Sequence, residues 1–405
     1  MKIKKQWAGV IFFLVLGQIA YAADDDSKAF DQFKAQRTQA VNETLAEFDD
    51  YKKELEAGFQ AYTKAYKQAT KDEEKRVKNV WGDYRPGDAK RWVQYDKSGV
   101  RQSVDFESGN IELEMLVDDK ASTKKAEEAL KNKILALLST TRREAFKNDN
   151  VAQAVEKKVS NLPLAKTSTV PATPIMKGLV PEKMLSSKSQ VKKISKKYAK
   201  SAKTDSRPAQ RKGKKVVRVK FKIPVDVPAK SKAFIKQASK IAKKENVPLT
   251  LVMAVMETES AFNPMAKSGV PAYGLMQIVP RSAGQDATAY LFGKAKILSP
   301  SYLYNSDKNI EIGGAYLHIL YFRYLKKVKD PVNRLYCAIA AYNTGAGNVA
   351  KAFIGTTNIN KASAKINKLT PKQVYRKLRK DLPYKETRHY VKKVSKNLSK
   401  YQGVN

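Results

Sequence analysis

Apolar positions change their period along the chain, and each change marks an element. From 27 to 77 they recur at helical spacing among charges: Phe30, Phe33, Phe48, Tyr51, Phe59, Tyr62 and Tyr66. Gly58 is the only glycine there, and there is no proline. This is the pattern of a long amphipathic helix or a helical pair. From Val80 the period changes. Arg91–Tyr95, Val100–Phe106 and Ile111–Val117 read as short strands, with Lys97-Ser98-Gly99 and Ser108-Gly109-Asn110 supplying turns. In the third strand Ile111, Leu113, Met115 and Val117 alternate with Glu112 and Glu114, which predicts burial on one face. Ser122 stands where an N-cap belongs, opening helix to about Ala136 and further helix to about Val159.

Residues 161–213 break this regularity. Pro163, Pro171, Pro174, Pro181 and Pro208 interrupt them, and Ser, Thr and Lys dominate. Between Lys183 and Lys222 stand 13 Lys and 3 Arg against one acid, Asp205. A run this basic repels itself and predicts a linker that is mobile in part. Val216–Ile223 alternates again and reads as one more strand, closed by Pro224 and Pro228. From Ala229 the pattern is helical to the C-terminus. The expected class is α+β: an α+β accessory domain with a small antiparallel sheet over 23–224, including the basic linker, then a mostly α domain over 225–405.

Composition narrows the chemistry. Cys337 is the only cysteine, which excludes an intrachain disulfide and any multi-thiolate metal site. Two histidines, His318 and His389, leave no all-His site. No metal or cofactor is expected, so carboxylates, lysines or hydroxyls must carry any catalysis. His318 and Cys337 read as packing residues inside helices, as does the pair Gly313-Gly314.

The beginning of the chain reads as an address. Lys2, Lys4 and Lys5 precede the uncharged run Trp7–Ile19, then Ala20-Tyr21-Ala22. Small residues at −3 and −1 predict a signal peptide over 1–22, cut after Ala22. The uncharged run is shorter than the ~20 residues a membrane span needs. No cysteine follows it to carry a lipid anchor, so a periplasmic protein is expected, in solution or peripherally bound to the envelope. The net charge of +39 invites nucleic acid as a partner. Export argues against that and favours anionic envelope lipids or cell-wall carboxylates; a solvated linker without any partner fits the basic run equally well.

One stretch carries candidate chemistry. Pro248 opens a helix from Leu249 to about Phe262. Leu249, Val252, Met253 and Met256 share an apolar face, and at about 100° per residue Glu259 falls on it. Glu257 lies about 160° away and is expected in solvent or at a cap. A carboxyl against apolar surface stays protonated near neutral pH, as a general acid must. A structural glutamate, held by a hydrogen bond or an unseen arginine, fits the same periodicity.

The residues around it resemble a known family. The blocks are Glu259-Ser260-Ala261-Phe262-Asn263-Pro264-Met265-Ala266 with Ser268, Tyr273-Gly274-Leu275-Met276-Gln277-Ile278, Ala341-Tyr342-Asn343-Thr344-Gly345-Ala346-Gly347, and Arg388-His389-Tyr390-Val391. In this order, over 246–394, they resemble the family 1 lytic transglycosylases, whose domain is the soluble-lytic-transglycosylase domain. The resemblance implies a lysozyme-like helical fold and peptidoglycan glycan strands as substrate. It implies cleavage of the β-1,4 bond between N-acetylmuramic acid and N-acetylglucosamine, leaving 1,6-anhydromuramic ends. One glutamate, here Glu259, would act as acid and then base, with no metal. Met276 and Gln277 would line the glycan groove, Ser268 would bond near the scissile sugar, and Asn343 would hold an N-acetyl group. Tyr342 and Tyr390 would approach the Glu259 carboxyl. None of the four blocks offers a clear second carboxylate, which ordinary glycosidases need. The alternatives are a lysozyme-like hydrolase using a carboxylate from elsewhere, or a non-catalytic glycan-binding protein.

Overall fold

The computed structural model describes residues 25–403; the signal peptide expected over 1–22 lies outside the described residues. Helix α1 runs Asp25–Trp81. The chain divides into two compact units, one ending at Glu54 and the other beginning at Leu55. In the first unit the side chains of α1 from Phe30 onward are almost all exposed. In the second, α1 buries Leu55, Phe59, Tyr62, Tyr66 and Ala69, which recur every three or four residues along one face.

The sheet forms as the alternation predicts. Strands β1 (Arg91–Tyr95), β2 (Val100–Asp105) and β3 (Asn110–Asp118) are consecutive antiparallel neighbours. The first turn closes on Asp96, whose Oδ1 accepts from the N–H groups of Ser98 and Val100 at 2.9 Å. Helices α2 (Thr123–Ser139), α3 (Arg142–Lys147) and α4 (Asn150–Val159) follow. Ser122 caps α2 by accepting from the Lys125 N–H. After a two-residue strand β4 (Ala165–Lys166) and a short helix α5 (Glu182–Leu185), α6 (Lys188–Ser201) leads into β5 (Lys203–Pro208) and β6 (Lys214–Lys222). The sheet order is β1-β2-β3-β6-β5.

Two expectations need correction here. The basic stretch, expected to be a linker mobile in part, holds the strand read at 216–223 and also a docked helix, α6. Val191, Ile194 and Tyr198 of α6 are buried, α6 packs on α2, and Tyr198 stacks on Phe221 of β6 at 4.9 Å. Charge counting misses this because three apolar residues on one helical face suffice to dock a short helix while its lysines stay in water. The second concerns β3: Glu112 is half-buried as expected, but Glu114 is 2% exposed. The second sheet face is covered near Glu114 by Trp81, Tyr95 and Arg101, and Trp81 and Val77 pack on Val216.

From Val227 on the chain is helical: α7 (Val227–Glu245), α8 (Leu249–Ser260), α9 (Gln285–Phe292), then a two-residue strand β7 (Ile297–Leu298) that pairs in parallel with β4. Helices α10 (Pro300–Tyr304), α11 (Ser306–Ile319), α12 (Pro331–Thr344), α13 (Ala346–Ile354), α14 (Ile359–Ile366), α15 (Pro371–Asp381) and α16 (Lys385–Leu398) complete it. The expected α+β class, with a small antiparallel sheet and a helical C-terminal region, is the one observed. Among the described residues no helix is long and apolar enough to cross a membrane.

Helix α8 is the centre of the helical region. Leu251 to Met256 are each at most 1% exposed, so the helix is buried all round rather than on one face. It packs against α7 and α16. Pro248 occupies its N-cap rather than its first helical position. The sheet region and the helical region meet within the second unit. Lys267 pairs with Asp149 at 2.8 Å, and Glu156 accepts from the N–H and Oγ of Ser301 at 2.8 and 2.7 Å. The boundary expected at 224/225 therefore falls inside that unit.

Candidate active site

Glu259 sits in the last turn of α8, and the chain around it is held tightly. Ser260 Oγ donates to the carbonyls of Met256 and Leu275 at 3.1 and 2.8 Å, tying the helix end to the following loop. Ala261 and Phe262 then take positive φ, 51° and 64°, which L-residues rarely adopt. Such backbone persists where packing over-determines it. Phe262 stacks on Phe234 at 6.0 Å. The buried Lys230 donates from Nζ to the carbonyls of Phe106 and Ala261 at 2.6 and 3.2 Å. This cation closes the negative end of α8 and joins it to the end of β2. Burial lowers the Lys230 pKa to about 8.

The Glu259 carboxyl pairs with no Lys or Arg among the described residues. The residue as a whole keeps some exposure into a cleft, while its carboxyl is shielded from bulk water. Burial pushes its pKa up to about 8, and the nearby Glu386 charge adds to the rise. The Tyr390 hydroxyl and Lys90 pull it down by less. Tyr390 Oη is buried without a well-aligned partner and faces this carboxyl closely enough to feel its charge. The phenol pKa values of Tyr342 and Tyr390 are both raised, by burial first and by Glu259 second, so both remain protonated donors. Glu257, on the far side of α8, is not solvated: Lys400 Nζ reaches it at 2.5 Å and Tyr401 Oη donates to it at 2.9 Å.

The loop after α8 is set by two residues. Gly274 has φ +75°, and a Cβ there would strike Asn309 Nδ2 and the Leu303 carbonyl. Asn309 is wholly buried; its Nδ2 donates to the carbonyls of Tyr273 and Leu303 at 2.8 and 3.0 Å, and its Oδ1 accepts from the Met276 N–H at 2.8 Å. Gln277 follows at φ 47°, its Nε2 donating to the Gly274 carbonyl at 3.0 Å.

A cleft of about 1350 Å³ opens over these groups. It brings together Glu259, Ser268, Gln277, Tyr342, Asn343 and Tyr390. Ser268 Oγ donates to the Val270 carbonyl at 2.6 Å, and Asn343 Oδ1 accepts from Thr387 Oγ1 at 2.7 Å. Tyr342 donates to the Met276 carbonyl at 2.8 Å, so it lies near Glu259 without bonding to it. Met276 is the exception among the expected residues. Its side chain is fully buried and pressed against Gly313, so only its carbonyl serves the site. An unbranched apolar side chain reads alike as groove and core in a sequence, and here close helix approach at Gly313 draws it inward.

Other lining residues escaped the sequence reading. Asp88, Ala89 and Lys90, just before β1, form part of the wall, and Asn263 Nδ2 donates to the Ala89 carbonyl at 3.3 Å. Nothing in their local pattern announces this, since the contact spans 174 residues. Glu386, in the first turn of α16, is a second carboxylate in the cleft; its position two residues before Arg388 was the available clue. Asn309 carried no clue. His389 lines the cleft, whereas His318 is structural, its Nδ1 2.8 Å from the Glu245 carbonyl and its ring stacked on Tyr290.

Comparison with known proteins gives a family match that includes Glu259. Residues 236–365 match the family model described as the Transglycosylase SLT domain. The chain is 38% identical over 193 residues to a protein named membrane-bound lytic murein transglycosylase C from Haemophilus ducreyi, covering 47% of this chain and 52% of that one. A protein of the same name from Actinobacillus pleuropneumoniae is 41% identical over 177 residues, covering 43% and 47%. The chain thus spans about half the length of the curated relatives it matches. Among solved structures, an inactive mutant of the lytic transglycosylase Slt from Pseudomonas aeruginosa is 28% identical, with a TM-score of 0.30, over 41% of this chain and 23% of that one. A complex of the 70-kDa soluble lytic transglycosylase with bulgecin A is 22% identical, with a TM-score of 0.37, over 71% and 37%.

Proposed function

We propose that this chain, whose residues 236–365 match the family model of the transglycosylase SLT domain, is a peptidoglycan lytic transglycosylase built on a lysozyme-like helical domain over 225–405. The observation that carries the reading is Glu259: a carboxyl on the cleft wall with Tyr342 and Tyr390, shielded from water so that its pKa is pushed up to about 8, and without a Lys or Arg partner among the described residues. Protonated at neutral pH, it delivers a proton to the glycosidic oxygen as the bond between N-acetylmuramic acid and N-acetylglucosamine breaks. The carboxylate left behind then removes the proton from the muramic acid 6-hydroxyl, which closes on C1 and leaves a 1,6-anhydro end. Tyr390, kept protonated, steadies the carboxylate between the two steps, with Tyr342 fixed close by through its bond to the Met276 carbonyl. Gln277 and Asn343 offer amides to acetamido groups along the strand, with Ser268 at the rim.

The cleft also holds two carboxylates for the hydrolytic alternative to draw on: Asp88, whose Oδ1 accepts from the N–H groups of Lys90 and Arg91 at 2.8 Å, and Glu386. Glu386 shares the cleft and could activate a water, as paired carboxylates do in hydrolases. Product analysis separates the two reactions. Purified sacculi digested in ¹⁸O-water should yield 1,6-anhydromuropeptides without ¹⁸O at C1. Reducing ends carrying ¹⁸O would establish hydrolysis instead. No cleavage by the folded chain would leave a glycan-binding protein.

The segment 23–224 is read as an accessory domain that completes the cleft wall through Asp88–Lys90. The protein is placed in the periplasm, with the exposed lysines of α6 supplying peripheral, salt-sensitive contact to anionic envelope lipids.

A further inference from the structure

In the unit ending at Glu54, α1 exposes large apolar side chains: Phe30 at 64%, Phe33 at 54%, Val41 at 48%, Leu45 at 56% and Phe48 at 45%. At about 100° per residue all five fall within roughly 60° of one line along the helix. The stripe forms two apolar patches, Phe30–Phe33 and Val41–Phe48, separated by Lys34 and Arg37, and exposed apolar patches of this kind mark a contact surface.

The charges beside the stripe follow an order. Asp31 comes first, then Lys34 and Arg37, then Glu47 and Asp49, then Lys52. The order inverts its sign about a point near residue 42. Asp31 mirrors Lys52, Lys34 mirrors Asp49, and Arg37 mirrors Glu47, each with the opposite charge. At about 100° per residue the two members of each mirrored pair differ by roughly 60–80° but lie on the same side of the stripe's midline. Like flanks meet when two such helices run antiparallel.

We propose that this helix pairs antiparallel with the same helix of a second copy of the chain, apolar stripe to apolar stripe. The contact closes on a two-fold axis near residue 42, so symmetry repeats every ion pair. A parallel pair would set like charges level with one another. An anionic membrane is a poorer occupant, since residues 30–54 hold six acids and four bases in a chain that is otherwise strongly basic. Within one helix Lys52 lies 3.8 Å from Asp49, and Arg37 covers Phe33 at 5.3 Å. Both contacts are exposed and weak, so they yield readily to cross-chain partners.

Sedimentation equilibrium of the full chain tests this, with circular dichroism as a check on folding. The wild type should show a reversible monomer–dimer equilibrium. Lys34→Glu with Arg37→Glu should weaken the dimer at least about tenfold, by setting like charges against each other. Adding Glu47→Lys and Asp49→Lys should restore it. Phe33→Ser with Phe48→Ser should leave monomer. A wild type that stays monomeric at every concentration overturns the proposal, as does a dimer indifferent to these charge reversals. Flotation of a monomeric wild type with anionic vesicles, lost in Phe33→Ser with Phe48→Ser, would give the stripe to a membrane instead.

Discussion

Glu114 on β3 and Glu259 on α8 are both withdrawn from water, yet their surroundings drive them to opposite charge states. Glu114 is 2% exposed and meets three guanidinium groups: Arg101 Nε at 2.6 Å, Arg207 Nη2 at 3.2 Å and Arg85 Nη1 at 3.4 Å. Burial alone would raise its pKa. The Arg101 hydrogen bond and charge, with Arg85 and Arg207, outweigh burial and hold it below the usual carboxylate range. Glu259 has no such partner, so burial wins and its pKa rises to about 8. The first carboxylate is spent on structure, clamping the end of α1 and β5 to the sheet. The second keeps its proton for use. Burial does not distinguish the two roles; the cation count does.

The largest expected effect breaks the comparison at its reactive end. Glu259→Gln keeps the side chain's size but cannot give up a proton. Cleavage of sacculi should fall on the order of 10²–10⁴-fold, and further because the same group acts twice. Stability should move the other way. A carboxyl whose folded pKa is raised destabilises the fold progressively from its unfolded value of 4.5 up to about 8. Thermal or denaturant unfolding at pH 8 should therefore find Glu259→Gln more stable than wild type, by roughly 1–3 kcal/mol, with the gain vanishing near pH 4.

Glu114→Gln should do the reverse. It leaves Arg101, 1% exposed, with Asp83 at 3.1 Å as its remaining counter-charge. Denaturant titration should show a loss of about 3–5 kcal/mol at neutral pH, with little change in activity per folded molecule. The stabilisation from Glu114 is present above pH 4.5 and is lost as pH falls through its lowered folded pKa. The two variants therefore depart from wild type in opposite directions as pH rises and converge on it in acid, and shifts of the same sign would dissolve the distinction.

A smaller effect sharpens the site itself. Removing the neighbouring charge with Glu386→Gln should lower the Glu259 pKa, moving the alkaline fall of kcat/KM to lower pH by less than about one unit. Complete loss of activity with the fold intact would instead make Glu386 a second catalytic carboxylate. The smallest effect belongs to Glu257→Gln. Its side chain is 12% exposed and bound by Tyr401 as well as by Lys400, itself 40% exposed, so the loss should be about 1–2 kcal/mol of stability with turnover unchanged.

Much of this was legible in residue order. The three strands, their turns and the long α1 follow from periodicity, and Glu259 was found from its angle on α8 and the motif around it. The errors share a cause. Glu114 looked solvated because alternation along one strand says nothing about what lands on its outer face, here Trp81 from far away in sequence. The lysine-rich stretch looked mobile because charge overshadowed the apolar face of Val191, Ile194 and Tyr198. Met276 looked like groove lining because Gly313, which lets it turn inward, lies on another helix. Asn309 and the Asp88–Lys90 wall depend wholly on long-range contact.

The protonation of Glu259 is the most direct test. A ¹³C NMR titration of carboxyl-labelled glutamate, with Glu259→Gln to assign the signal, reads its pKa in the intact chain. A midpoint near 8 is the result this account predicts, in step with the alkaline fall of kcat/KM. A midpoint near 4.5 would mean that the carboxyl is hydrated or paired, and would contradict its assignment as the acid.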